Sequence, residues 1–241
     1  GLTVSLLPKK TRGGTVVVDA NFRFGNVESL RSHPASAPGF AGSMLMRGSK
    51  TMTRAEIDKR FEALKTNASV SGGGQGAGIS LQTRRGELAE ALTLAADILR
   101  NPAYPEAEFD QLRMQAITGL EASRKEPSTV AGLALAEAFD PWPKDHPLRF
   151  RGIDEQLTEL KALKLAARHA YHRDVFGTAE GHIAIVGDFD PAEVKPLLEK
   201  LFAGWTPGVA YSPISTRYHA VEARKASFET PDKSSAVFIA R

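Results

Sequence analysis

Two histidines, His169 and His172, stand three residues apart in a segment with helical periodicity, and that spacing places two imidazoles on one face of a helix. Imidazole is a common zinc ligand, so the pair would supply half of a tetrahedral metal site. The segment offers no third ligand, and the flanking Arg168 and Arg173 would repel a cation. The two histidines also lie opposite the apolar stripe of their helix. We therefore predict that both face solvent and bind no metal.

The other residues with recognisable chemistry give no site either. Residues 72–78 are dense in glycine but lack the Gly-Lys-Ser/Thr ending of a phosphate-binding loop, so we predict a mobile loop between two strands. His146 precedes Pro147 and is predicted to be a loop or capping histidine. Cysteine is absent, which excludes disulfides and thiolate zinc sites.

Composition limits the class of protein. The 241 residues are 42% hydrophobic and carry 31 basic against 28 acidic side chains, a net charge of +3. This describes a globular chain with a mixed surface, not a nucleic-acid-binding one. No apolar run approaches the roughly 18 residues of a membrane span. The chain opens inside a strand pattern, which indicates a fragment of a longer protein.

Apolar periodicity predicts an α+β layer fold. Strands are predicted over residues 2–7 and 15–24 as an antiparallel pair, over 67–83 with a glycine-rich interruption, over 181–187, and near 221–229 and 235–240. Helices are predicted over residues 35–47, 54–65, 87–100, from 105 onward, 129–139, 160–171 and from 190 onward. A linker rich in Pro, Gly and Ser after Trp205 divides the chain into a domain over 1–205 and a linker with strands over 206–241.

Three small residues, Gly39, Gly42 and Ser43, form one stripe of the helix predicted over 35–47, opposite Phe40 and Met44. Each glycine inside a helix costs about 1 kcal/mol relative to Ala, so the stripe needs a reason. Close packing of the helix is one reason, and a metal site that has lost its ligands is another; the two are compatible.

The segment resembles the motif helix of the pitrilysin/insulinase zinc peptidases, the inverzincins. Their helix carries H-x-x-E-H followed by a Met-rich turn and an Arg/Lys-Gly-Ser/Thr step, which residues 44–49, MLMRGS, match. In that frame Gly39 and Ser43 hold the two His positions and Gly42 holds the Glu position. None of the three ligates zinc, and Gly42 offers no general base.

The resemblance covers essentially the whole chain. Residues 99–109 look like the family's L-x-x-N-P-x-F/Y-x-x-x-E-F junction, and His146-Pro147 looks like its His-Pro step. Residues 185–190, IVGDFD, and 200–205, KLFAGW, resemble its strand-to-helix turn and its closing F-G-x-W. The implied fold is a mostly antiparallel sheet with helices packed on one face, a two-layer metallopeptidase-like domain of the LuxS/insulinase type.

The resemblance also implies which ligand positions are lost. The family's third zinc ligand, a Glu, falls near Gly119, with Glu121 the nearest carboxylate downstream. The opening residues resemble the second half of long bacterial members, where this would be the third of four homologous domains and residues 227–241 would lead into the fourth. We therefore expect no cofactor here, zinc in another domain of the parent, homologous domains as partners and a periplasmic location.

In active members, the strand that corresponds to Asn67, Ala68, Ser69 and Val70 is a sheet edge that pairs with extended substrate. The resemblance thus implies a non-catalytic domain that helps to form a peptide-enclosing chamber and positions substrate for a zinc site elsewhere. The alternative is a purely structural scaffold without substrate contact. A binder of nucleic acid is a third hypothesis, and it rests on the pI alone.

Overall fold

The computed structural model describes residues 1–206, 208–215, 220–231, 234 and 237–239. Its strands are β1 (Leu2–Pro8), β2 (Thr15–Arg23), β3 (Asn67–Gly72), β4 (Gly76–Arg84) and β5 (Glu180–Gly187). Its α-helices are α1 (Val27–Arg31), α2 (Ala37–Ser43), α3 (Arg54–Ala63), α4 (Leu88–Arg100), α5 (Glu106–Ser123), α6 (Pro127–Ala138), α7 (Ile153–Ala162), α8 (Leu165–Val175) and α9 (Pro191–Phe202).

The five strands form one sheet in the order β1-β5-β2-β4-β3. Three of its four pairings are antiparallel, and only β1 with β5 is parallel. The predicted α+β fold with a mostly antiparallel sheet is confirmed. The two strands on either side of the predicted glycine-rich interruption pair as a β3–β4 hairpin, which closes at Gly73, whose N–H donates to Gly76 O at 2.8 Å.

The predicted antiparallel pairing of β1 with β2 is wrong, because β5 lies between them. Strand β5 carries Ile183 and Ile185, both fully buried, and a central place in the sheet covers both side chains. Strand β1 has no fully buried residue and lies at the edge of the sheet. Proximity in sequence favoured the hairpin, whereas burial of the more apolar strand decides the order.

The core lies on one face of the sheet. Alternate residues of β2 point into it, namely Val16, Val18, Ala20 and Phe22, and the helices cover them. The Phe22 ring, for example, lies 5.1 Å from that of Phe202 on α9. The other residues of β2 are exposed, apart from the half-buried Thr15. The second face of the sheet is therefore open.

Two predicted helices differ from the observed ones. The helix predicted over 35–47 is α2 followed by a separate 3-10 turn, Leu45–Arg47, which Gly48 ends with a φ of 144°. The helix predicted over 160–171 is two helices, because Leu163 between α7 and α8 adopts an extended conformation. Helix α9 begins as predicted, with the Asp190 side chain accepting a hydrogen bond from the Ala192 N–H at 2.9 Å.

The C-terminal part departs most from expectation. Residues 220–231 form neither helix nor strand, so the strand predicted over 221–229 is wrong. An isolated strand has no stability without a partner, and β-propensity alone does not supply one. The strand predicted over 235–240 lies in part outside the described residues. Residues 208–215 hydrogen-bond to the domain, and the division at residue 205 stays a prediction.

Candidate functional site

The short helix α2 presents the three small residues to different surroundings. Its apolar side is buried, with Phe40 and Ala41 in the core, and Pro38 in its first turn has the fixed φ that suits a helix start. Gly39 and Ser43 lie one turn apart on the exposed side, whereas Gly42 is buried. The three residues predicted to form one stripe therefore separate in the structure. Gly39 and Ser43 are exposed, and Gly42 is buried.

Gly42 is pressed against the end of strand β3. A Cβ built on it would lie 1.8 Å from Gly72 O and 2.1 Å from Gly72 C, so no side chain fits without movement of backbone. The hydrogen-bonded pair at Gly73 and Gly76 sets the alternation of the antiparallel ladder. By that alternation the carbonyl of Gly72 points away from β4, off the sheet edge, and Gly42 covers it.

Gly39 and Ser43 open onto a groove of about 370 Å³ between α2, α5 and α7. Leu112 and Ala116 of α5 form its opposite wall. The other lining residues are Ser36, Phe40, Gln156 and Leu160. The polar atoms here are hydroxyls and one amide, and the Ser43 hydroxyl donates to Phe40 O of its own helix at 3.4 Å.

This donor set does not fit zinc, which is held in proteins by imidazole, thiolate and carboxylate ligands. None of the groove residues supplies one of these groups. Across the described residues, no cluster of three or more His, Asp or Glu is arranged to hold a metal ion. Nothing at the groove could polarise a water molecule for attack on a peptide bond.

The structure does not place Gly119 in the groove. It is exposed on α5, and a Cβ built there would meet no atom within 4 Å. Glu121 also lies outside the groove, 3.9 Å from Lys161. On α5, the residues that face Gly39 and Ser43 are Leu112 and Ala116, so a ligand reaching the groove from this helix would have to stand there.

Tyr104 anchors α2 to the junction between α4 and α5. Its hydroxyl donates to Ala41 O at 3.0 Å, and its own carbonyl accepts from Arg168 Nη2 at 3.0 Å. Tyr104 has a φ of +51°, an uncommon conformation for a residue other than glycine. Burial raises the pKa of its phenol above the usual range, while the Arg168 cation opposes that rise. The phenol therefore stays protonated as a donor.

Arg168 is the interior residue that sequence reasoning missed. Its side chain is fully buried, with the guanidinium carbon 4.0 Å from the centre of the Phe109 ring, a cation–π distance. Burial lowers its pKa to about 10, and the nearby Tyr104 and Asp110 oppose the change, so it stays charged at neutral pH. Its spacing with Leu165 and Tyr171, on the inward stripe of α8, is the signal that could have found it.

The two candidate metal histidines behave differently from each other. His169 is exposed, as predicted, and its ring meets that of Tyr104 edge-on at 4.9 Å. His172 is half-buried, and its Nε2 lies 2.8 Å from Leu99 O, so the prediction that it faces solvent is wrong. His146 is a turn-capping residue, because its Nδ1 accepts from the Leu148 N–H at 3.2 Å.

Strand β3 is the edge that sequence analysis predicted. Asn67 and Ser69 point to the open face, whereas Ala68 and Val70 point to the helical face. By the ladder alternation, the N–H and C=O groups of Ala68 and Val70 point off the edge. Among the described residues, no backbone hydrogen bond joins these groups to another element. The edge is therefore unpaired at its middle and covered by α2 at Gly72.

Several solved structures share this architecture at low sequence identity. The inactive domain of peptidase M16 from Pseudomonas fluorescens aligns with a TM-score of 0.69 over 90% of this chain and 51% of its own length, at 19% identity. A protease from Helicobacter pylori gives 0.65 over 91% and 51%, at 18% identity. The fold is that of an M16 peptidase domain.

The periplasmic protease PqqL from Escherichia coli also aligns, with a TM-score of 0.65 over 86% of this chain and 22% of its own length, at 14% identity. The present chain spans about half the length of the Pseudomonas fluorescens and Helicobacter pylori structures. No family model matches the sequence, and no curated protein matches it. No helix within the described ranges is long and apolar enough to cross a bilayer.

Proposed function

We propose that this chain is a non-catalytic domain of an M16-type zinc metallopeptidase, the pitrilysin/insulinase family. The observation that carries the proposal is the contact of Gly42 with the Gly72 carbonyl. In the motif frame, position 42 is where a catalytic Glu would stand and activate water. Here the backbone of the adjacent strand occupies that space. In this proposal, position 42 serves the packing of α2 against β3 and has no role in catalysis.

Its role in the parent protein, in this proposal, is to form one wall of a peptide-enclosing chamber and to position substrate for a zinc site in another domain. The unpaired edge groups of Ala68 and Val70 support the positioning role, because main-chain hydrogen bonds bind extended peptide with little demand on sequence. Similar folds that are about twice as long support homologous domains as partners. The periplasmic protease PqqL, which shares the fold, supports a periplasmic location.

One observation favours the alternative, a structural scaffold without substrate contact. Gly42 covers the Gly72 end of the β3 edge. Of the outward-pointing backbone groups of β3, a peptide could then pair only with those of Ala68 and Val70. A bound peptide would then form fewer hydrogen bonds here than along a fully open edge. Peptide binding to the chain separates the two roles, and the absence of catalysis is common to both.

Restoring the motif tests the non-catalytic assignment. The triple variant Gly39→His/Gly42→Glu/Ser43→His supplies the complete H-x-x-E-H, and Gly39→His/Ser43→His supplies the imidazoles alone. We expect the double variant to fold and to bind zinc weakly, because two imidazoles are half of a tetrahedral shell. The triple variant should be destabilised, because the Glu side chain has no space beside Gly72.

Circular dichroism and isothermal titration with zinc measure both outcomes. A triple variant that folds as well as the double variant, binds one zinc tightly and cleaves peptide would contradict the packing argument on which the proposal rests. It would show that the α2–β3 contact opens readily and that only the side chains were lost.

A further inference from the structure

Residues 208–215, the strap, lie against the domain at the tip of the β3–β4 hairpin. The Ser212 N–H donates to Gly25 O at 3.0 Å, and Asn26 Nδ2 donates to Ala210 O at 3.4 Å. Ile214 packs against the hydrophobic core. A segment that sequence analysis describes as a linker is thus held in place by groups of the folded domain.

The side chain of Gln75 makes the most specific contacts with the strap. Its Nε2 donates to Ser212 O at 2.8 Å, and its Oε1 accepts from the Ile214 N–H at 3.3 Å. One primary amide therefore binds both a carbonyl and an N–H of the strap, two residues apart. The residue between them is Pro213, which has no N–H to satisfy.

Gly25 completes the recognition surface. Its carbonyl accepts from both Ser212 N–H and Gln75 Nε2, the latter at 3.2 Å. Gly25 has a φ of +73°, and a Cβ there would lie 2.8 Å from the Ser29 hydroxyl and 3.0 Å from Val175. Only glycine is compatible with this turn. The direction of the carbonyl is thus fixed by the fold and not by the strap.

We propose that Gly25, Asn26 and Gln75 form a binding site for peptide of the class X–Pro–aliphatic residue, which the strap occupies in this chain. Residue X, any residue other than proline, offers its backbone carbonyl and N–H. The proline leaves no donor unpaired, and the aliphatic side chain packs against the core. The site is separate from the outward-facing groups of Ala68 and Val70. While the strap is bound, it excludes peptide from other chains and fixes the path by which the chain leaves the domain.

Hydrogen exchange tests the contacts in the whole chain. In Gln75→Ala the amides of Ser212 and Ile214 should exchange about tenfold faster than in the unaltered protein, because both side-chain hydrogen bonds are lost. Gln82→Ala is the matched control, since Gln82 is exposed on β4, the strand that follows Gln75, and it should leave both rates unchanged. The amide of Ile79 in β4 reports on the fold and should stay protected in both variants.

Should Gln75→Ala also speed the exchange of Ile79, Gln75→Glu serves as the second variant. It keeps the length of the side chain and an acceptor for the Ile214 N–H, but it replaces the donor to Ser212 O and Gly25 O by a carboxylate oxygen that both carbonyls repel. Ser212 should therefore still exchange faster than in the unaltered protein, while Ile79 stays protected. Equal exchange of Ser212 and Ile214 in the unaltered protein and in both Gln75 variants would overturn the proposal.

Binding in trans tests the site itself. Ile214→Asp should release the strap, which is seen as faster exchange at Ser212, and a synthetic peptide of residues 208–215, GVAYSPIS, should then bind. The same peptide should bind Ile214→Asp/Gln75→Ala about tenfold more weakly. The proposal is wrong if the two variants bind it equally, if Ser212 stays protected in Ile214→Asp, or if the released variant does not bind it.

Discussion

At the scale of single residues, Gly39 and Gly42 share one helix but differ in what surrounds them. A Cβ at Gly39 would meet no atom within 4 Å, whereas one at Gly42 would lie 1.8 Å from Gly72 O. The first glycine carries only the helix-propensity cost of about 1 kcal/mol, and the second is required by packing. Close packing explains the second position, and the proposed function accounts for the first as a position that has lost its metal ligand.

This contrast gives a matched pair of substitutions. Gly39→Ala should raise the free energy of unfolding by about 1 kcal/mol through helix propensity. Gly42→Ala should lower it by about 2 kcal/mol, because the added methyl group forces the backbone of α2 away from β3. Urea denaturation measures both. A Gly42→Ala variant as stable as Gly39→Ala would contradict the close contact.

His172 makes stability depend on pH. Burial holds the pKa of its imidazole below the usual 6.5, the hydrogen bond to Leu99 O opposes this, and His169 lowers it further. The unfolded chain therefore binds the proton more readily than the folded one. The free energy of unfolding is at its full value above pH 6.5 and falls as the pH drops below 6.5.

Substitution by a non-titrating donor isolates this contribution. His172→Gln keeps an N–H for Leu99 O and should reduce the loss of stability between pH 7.5 and 5.5 by about 1 kcal/mol, since one pH unit of differential protonation is worth 1.36 kcal/mol. The pKa values of His146 and His169 are also lowered by burial, so part of the slope should remain. A slope as steep in His172→Gln as in the unaltered protein would rule this role out.

Sequence analysis identified the small residues of α2 as a stripe but did not predict their surroundings. A helical pattern puts Gly39, Gly42 and Ser43 on one stripe, and it contains no information about Gly72, which lies 30 positions along the chain. Arg168 escaped for a related reason. A charged side chain next to two histidines is typical of a solvated face. The rings of Phe109 and Tyr104 and the hydrogen bond to Tyr104 O are the contacts that stabilise its buried guanidinium.

At the scale of elements, the order of the strands in the sheet could not be predicted from local sequence patterns. Each strand follows from its composition, and the β3–β4 hairpin follows from its glycine-rich turn. The insertion of β5 between β1 and β2 is a non-local choice that no short segment encodes. The strand predicted over residues 221–229 is absent although its composition is strand-like, because it has no pairing partner in the described structure.

The β3 edge yields a prediction about peptide binding. Ala68→Pro removes an outward-pointing N–H without removing a hydrogen bond to β4, which edge strands tolerate. It should weaken binding of a labelled unfolded polypeptide, reduced and carboxymethylated α-lactalbumin, about fivefold. Fluorescence anisotropy measures the affinity.

Ser69→Ala is the control, because it keeps every backbone group of the edge and should bind as the unaltered protein does. If Ala68→Pro binds the polypeptide as tightly as Ser69→Ala, the β3 edge does not recruit peptide, and the scaffold role is the better account.

At the scale of the whole molecule, the parts that pack the core are distinct from the parts that offer backbone groups to a peptide. Helices cover one face of the sheet, and α2 is part of that support through Tyr104 and Gly72. Among the described residues, the middle of the β3 edge carries unpaired backbone groups, and the hairpin tip holds the strap. In the proposed function, such a domain contributes walls and backbone contacts to a peptidase whose chemistry lies in another domain.

The zinc content of the unaltered chain tests this central claim most directly. After equilibration with excess zinc and dialysis, mass spectrometry of the metal should find far less than one zinc ion per chain, because no imidazole or carboxylate lines the groove at Gly39 and Ser43. One tightly bound zinc ion per chain would contradict the account.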